Sequence, residues 1–483
     1  VSILIALIIL ALAAILLWFL AAYETGRPKG EGMGLPAILL ALWMIASAVF
    51  GVHFFVLRVA GLTDITIERL LFLLILLFLG AGLITGRVRI QSRITTEIAM
   101  GIFSLICLLS MVRTGFLPIS REFPSPWSFF LTGYLFPFMI YVYAKNYIVS
   151  RKDVAVIFHM LFYFGIYLSV IAFFQYAELR QFVFPRYIND PLISAVHMDR
   201  ARGPFLNSAL NGFGILIGFI CGIHLLQEKR GFAKVFYLAA LLICFPAVYF
   251  TQTRSVYLGM LMTLCIFLGW YKTSFPKWKL VSLPLAFVLI VGIAFSPRLL
   301  STDRREGGVA QMEEVDVRFA LMKKSYVLLA EQPLTGIGLG QFIPSSLLGI
   351  YKGPVSFSME ELEPQLQHNH LLGVATELGI SGFLVYLTLI GMILWRLRQM
   401  KGRLPESGIA GNNLRVAILA VWLVFLETGL FLETSVNIFI HAVPFLFAGL
   451  ADGLYTRSLE SDPLSRASRE MSRSPMRIIR SHV

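Results

Sequence analysis

Gln367-His368-Asn369-His370-Leu371-Leu372 runs into Glu377-Leu378-Gly379-Ile380-Ser381-Gly382 where the longest polar loop of the chain meets an apolar stretch. Two imidazoles, an amide and a carboxylate thus stand at the edge of a stretch long enough to cross a bilayer. Ionisable groups near hydrocarbon are costly, and a functional role is the default reading for them. An imidazole titrates near neutral pH, so His368 or His370 can take a proton from a hydroxyl there. Asn369 supports the pair. Glu377 follows His370 by seven residues, about two helical turns, which puts it on a similar face ~10 Å further along. Its expected part is supporting and structural, tuning an imidazole or bonding a neighbouring helix. His-x-His also matches a metal-ligand pair, but no third ligand stands at a recognisable spacing, so no metal is expected.

Arginines supply the complementary charge. Arg200-Ala201-Arg202-Gly203-Pro204-Phe205-Leu206-Asn207 leads directly into an apolar run, and Thr251-Gln252-Thr253-Arg254-Ser255 is a short link between two such runs. Arg318 lies near the start of Glu313 to Glu331, a segment with the composition of an amphipathic helix ended by Pro333. A guanidinium is always charged and offers a fork of donors matched to phosphate. Arg202, Arg254 and Arg318 together make an expected clamp for a lipid diphosphate. Arginines at helix ends also snorkel to headgroups; confinement of Arg254 to a short turn favours function for it.

Other signals carry less. Gly336-Ile337-Gly338-Leu339-Gly340 lacks the Lys-Ser/Thr of a phosphate loop and reads as a turn that is flexible or closely approached. Glu427 and Glu433 flank a short apolar run and can either orient neighbours or contact substrate. Asn437 and His441 are one helical turn apart, the spacing of a buried polar network.

The elements that must position these residues follow from composition. Of 483 residues, 57% are hydrophobic and 14% charged, against roughly a quarter charged in soluble chains, and mean hydropathy is +0.76. About thirteen apolar runs approach the ~20 residues a membrane helix needs. They lie near 1–22, 36–57, 66–84, 94–112, 126–148, 153–177, 208–226, 232–251, 253–271, 278–296, 370–395, 412–431 and 435–456. The expected fold is all-α: a polytopic integral membrane protein with about 12–13 transmembrane helices and one large periplasmic loop containing short helices. The expected organisation is transmembrane helices over 1–296 with an external loop near 178–207, the large loop over 297–368, C-terminal helices over 369–456, and a basic cytoplasmic tail over 457–483. The first run, lacking a basic flank and a clear cleavage site, reads as a retained helix. All four cysteines, Cys107, Cys221, Cys244 and Cys265, fall inside predicted spans, with no metal-site spacing.

Net charge is +13, clustered in alternate loops and in the tail. The positive-inside rule makes those loops cytoplasmic and sends 178–207 and 297–368 outward. Attraction to anionic membrane lipids accounts for the basic tail without nucleic acid. No internal repeat supports a transporter, and ionisable residues are expected to gather at one membrane face.

Four segments in order resemble the O-antigen ligase and O-antigen polymerase superfamily. They are His368-Asn369…Leu372…Glu377…Gly379…Gly382; Arg202-Gly203-Pro204-Phe205…Asn207; Thr253-Arg254-Ser255…Leu258-Gly259, with Thr where Ser is commoner; and Arg318 followed by Pro333-Leu334-Thr335-Gly336-Ile337-Gly338. The resemblance covers roughly 200–395. It implies a cofactor-free, metal-independent, inverting glycosyltransferase of the bacterial inner membrane, with its active site facing the periplasm. The implied donor is a glycan on undecaprenyl diphosphate, and the implied acceptor for a ligase is the lipid A-core. Carried over by motif, Arg202 and Arg254 would hold the diphosphate and His368 would be the base. A polymerase of the same superfamily joins lipid-linked repeats instead; a flippase for lipid-linked glycan is the reading from another class.

Overall fold

The computed structural model of the protein describes residues 34–57, 65–86, 90–91, 94–116, 125–148, 150–194, 197–272, 313–345 and 365–460. The chain is all-α. Among the described residues the α-helices are α1 (Leu35–Val49), α2 (Ile67–Ile84), α3 (Thr95–Thr114), α4 (Pro126–Tyr147), α5 (Arg151–Tyr176), α6 (Ser208–Leu226), α7 (Gly231–Phe250), α8 (Arg254–Trp270), α9 (Glu313–Glu331), α10 (His370–Gln399), α11 (Asn412–Phe431) and α12 (Ile438–Glu460). Among the described residues, nine are long and apolar enough to cross a membrane, and α1 and α8 are shorter apolar helices. In hydrocarbon each backbone polar group must be satisfied within its own segment, so long apolar runs become helices. Eleven of the thirteen expected runs fall on described residues, and each is helical. The runs near 1–22 and 278–296, and the tail from 461, lie outside the described residues. The run 36–57 is helical only to Val49; beyond it the chain turns.

Polar residues at the helix starts fix several boundaries. Ser150 and Asp153 form a reciprocal capping box at α5, and Asn207 accepts from Ala209 and Leu210 at α6. One apolar core runs through the bundle. α6 and α12 are buried along most of their length, and α5 meets α6 where Gly165 and Gly218 let the two backbones touch. α4 carries a π-helical turn, Leu131–Leu135, against the start of α12. Two small satellite cores lie outside the bundle. Ala320, Leu321, Leu328 and Phe342 give α9 and its following loop a core of their own. Val183, Tyr187 and Ile188 pack on Ile171 to order the 178–207 loop.

The expectation that ionisable residues gather at one membrane face is corrected. At the end of the bundle opposite His368, Lys145 Nζ lies 2.6 Å from Glu97 Oε1 and 2.8 Å from Asp452 Oδ2. Arg396 Nε lies 2.7 Å from Asp452 Oδ1, and the Tyr141 hydroxyl donates to Asp452 Oδ2 at 2.7 Å. These residues come from α3, α4, α10 and α12, one or two from each. Scattered through the sequence they look isolated; folded, two cations and two carboxylates cancel.

Candidate functional site

The α10 helix is broken near its start, and the break builds the site. Gly379 has φ 70° and ψ −177°, a region that is essentially glycine-only. The backbone groups this frees are taken by the loop that follows α9. Ile337 N–H donates to Thr376 O (3.0 Å) and Gly338 N–H to Glu377 O (2.9 Å), while Ile380 N–H donates to Pro333 O (2.8 Å) and Ser381 N–H to Leu334 O (3.4 Å). Buried backbone groups need partners, and here two chain segments exchange them. The Glu377 carboxylate reinforces the joint by accepting from Gly340 N–H (3.0 Å) and Phe342 N–H (3.3 Å). Arg113, in the last turn of α3, donates to Thr335 and Gly336. The glycine-rich loop is closely approached, as expected: a Cβ at Gly336 would overlap the Glu377 carbonyl. Arg113 was missed, because an arginine ending an apolar run reads as a snorkelling residue.

From this joint α9 and the first half of α10 run side by side to an open cavity of about 230 Å³. Arg318, Ser325, Gln367, His368 and Asn369 give it polar groups; Phe319, Met322, Leu372, Leu430 and Phe431 give it an apolar wall. His368 Nε2 lies 3.4 Å from Gln365 Oε1. Asn369 is the N-cap of α10, its Oδ1 accepting from Leu372 N–H at 3.0 Å. The structure therefore brings Arg318, His368 and Asn369 together.

His370 goes elsewhere. Its ring is buried, with Nδ1 2.7 Å from Glu433 Oε1 and Nε2 3.0 Å from the Tyr386 hydroxyl. His441 stands perpendicular to it with ring centres 4.7 Å apart, and itself bonds Thr434 and Gly133 O. Glu433 Oε1 also accepts from Ser435 N–H (3.1 Å) and Oγ–H (2.7 Å). Tyr386 carried no signal, since sixteen residues separate it from His370 and only the fold pairs them.

The other arginines are not at this cavity wall. Arg202 is 0% exposed. Its guanidinium donates to the carbonyls of Ile188 (Nε, 2.9 Å; Nη2, 2.6 Å) and Ser194 (Nη1, 2.6 Å), tying the 178–207 loop together. Arg254 is exposed at the first position of α8, and Thr253 beside it bonds Ser208, which in turn bonds His197 (2.9 and 2.7 Å). Glu427 is buried in α11 against Gly259 of α8. Among the described residues, no group of three or more His, Cys, Asp or Glu is placed to hold a metal.

Residues 238–387 match the family model described as O-antigen ligase, a match over this part of the chain that supports its resemblance to the O-antigen ligase superfamily of glycosyltransferase-like membrane enzymes. The matched segment runs from α7 into α10. It takes in Arg254, Arg318, His368, His370 and Glu377 and leaves out Arg202 and Glu433. No curated protein matches the chain.

Proposed function

We propose that the protein is a member of the O-antigen ligase superfamily and transfers a glycan from undecaprenyl diphosphate to the lipid A-core, at the periplasmic face of the bacterial inner membrane. The observation that carries the proposal is that His368 and Arg318 share one cavity with a polar side and an apolar wall. A lipid-linked sugar has the same two characters. In this reading His368 takes the proton from the attacking sugar hydroxyl, which contributes ~10²–10⁴-fold. The bond from the anomeric carbon to the diphosphate breaks as the new glycosidic bond forms on the opposite face, and the diphosphate leaves as an anion. Arg318, with Arg254 at the membrane surface, stabilises that developing charge. Asn369 holds the helix start, and Glu377 holds the joint beneath it. Arg202 orders the outer loop through backbone carbonyls.

The leaving group is already a diphosphate, so neither nucleotide nor metal enters the scheme. The test is reconstitution of the full chain in nanodiscs with purified donor and acceptor lipids, in EDTA and without nucleotide. Glycosylated lipid A-core is the expected product, and His368→Ala should lower single-turnover transfer by ~10²-fold or more with donor binding nearly intact. Polymerised lipid-linked repeats as the product would assign the polymerase activity instead. Dependence on a divalent ion, or normal turnover in His368→Ala, would overturn the mechanism.

A further inference from the structure

We infer that Glu433 is a positioning residue for this reaction, setting His368 through His370; the inference rests on the reading of His368 as the base. Glu433 lies in the short link between α11 and α12 and is buried. A buried carboxylate is tolerated only with donors to satisfy it. Its Oε1 takes three: His370 Nδ1–H at 2.7 Å, Ser435 N–H at 3.1 Å and Ser435 Oγ–H at 2.7 Å. A carboxylate can only accept, so the His370 proton is assigned to Nδ1, and Nε2 accepts from the Tyr386 hydroxyl at 3.0 Å. The ring is held on both edges, and its face is closed by His441. His370 is thus an anchor, buried away from the cavity and fully engaged.

What it anchors is the turn that presents the base. His370 is the first residue of α10, Asn369 caps it, and Asn369 N–H closes back on Gln367 O at 2.6 Å. Once the cap and the His370 ring are fixed, His368 has little freedom in where its ring stands relative to Arg318. The same residue also stands close in sequence to the apolar wall. Leu430 and Phe431, which line the same cavity as His368, precede Glu433 by three and two residues. One residue therefore joins the polar and apolar walls. Glu433 lies outside the matched segment, and its sequence position left open whether it orients neighbours or contacts substrate.

The experiment is a double-mutant cycle on the full chain in nanodiscs, reading donor affinity and single-turnover transfer at saturating donor. Glu433→Ala should lower transfer by on the order of 10²-fold, the cost of misplacing a reacting group by about an ångström, while donor affinity stays within a few-fold. Glu433→Gln, which keeps an acceptor for Nδ1–H, should recover most of the rate, and the pH profile should keep its midpoint. In a His368→Ala background, Glu433→Ala should cost nothing further, because its effect passes through that side chain. Should the alanine variant fail to fold, Tyr386→Phe removes the other anchor of the ring without leaving a void, and the same non-additivity is expected. Wild-type transfer in these variants would overturn the inference, as would an equal loss in both backgrounds, which would leave the role of His368 standing. Normal transfer in His368→Ala alone would overturn both.

Discussion

Substituting Gly379 by alanine tests whether the broken α10 and the loop after α9 form one joint. The native φ of 70° and ψ of −177° would cost a residue with a Cβ ~1–3 kcal/mol. That Cβ would also overlap the Leu334 carbonyl oxygen and stand 2.6 Å from Gly336 N, so the loop must retreat. Retreat weakens the backbone bonds of Ile337, Gly338, Ile380 and Ser381 across the joint, each worth ~1 kcal/mol net. Together these predict a local loss of about 3–6 kcal/mol. It should fall on α9 rather than the bundle, because α9 and its loop have a small core of their own. An opening free energy lower by ~3 kcal/mol raises the undocked population by on the order of 10²-fold. Trypsin cleavage at the exposed Lys323 of α9 should accelerate accordingly, and glycan transfer should fall as Arg318 leaves the cavity it shares with His368. The buried thiols of Cys107, Cys221 and Cys244 report the bundle separately through a thiol-reactive dye during a thermal ramp. Wild-type protection of Lys323 together with wild-type transfer would refute the joint. A collapse of the bundle melt would show that the joint is not separable from the membrane core.

Two further outcomes separate residues that look alike in the sequence. Arg202→Ala should loosen the 178–207 loop, read as hydrogen exchange at Ile188 and Ser194, with little change in donor affinity. Arg254→Ala should do the reverse, and Arg254→Lys should rescue poorly because an ammonium lacks the fork. At the far end of the bundle, Asp452→Asn takes the carboxylate from half-buried Arg396 and one of two from buried Lys145, which keeps Glu97. Breaking a buried pair typically costs ~3–5 kcal/mol, so the bundle melt should drop while the surviving protein transfers glycan normally.

The spans were legible because period and length decide them: α2 to α8 and α10 to α12 lie within a few residues of the expected apolar runs. α9 was legible from Glu313 to Glu331 for the same reason, with Pro333 as its stop. The joint was not. Glycine is frequent in membrane helices, so Gly379 carried no mark of a break, and its partners Pro333 to Gly338 stand some forty residues earlier. The arginines show the second limit. Sequence gives a charge at a membrane surface but not what the guanidinium is bonded to. Arg202 and Arg254 were therefore both expected at the diphosphate, with only the short turn of Arg254 to favour one; the fold spends Arg202 on carbonyls and leaves Arg254 exposed.

The two histidines show the third limit, which is phase. Residues two apart on a helix point to nearly opposite sides, so His368 and His370 cannot both face one cavity in a continuing turn. Which one does is decided by where the helix begins. Asn369 caps through Leu372 N–H, leaving His368 outside the helix beside the cavity and committing His370 to the inward face, where Glu433 and Tyr386 receive it. Asparagine is among the strongest N-cap residues, so the start of α10 was written between the histidines. The carboxylate that makes an inward imidazole tolerable lies sixty-three residues on, and only the return of α11 to the same end of the bundle brings it there.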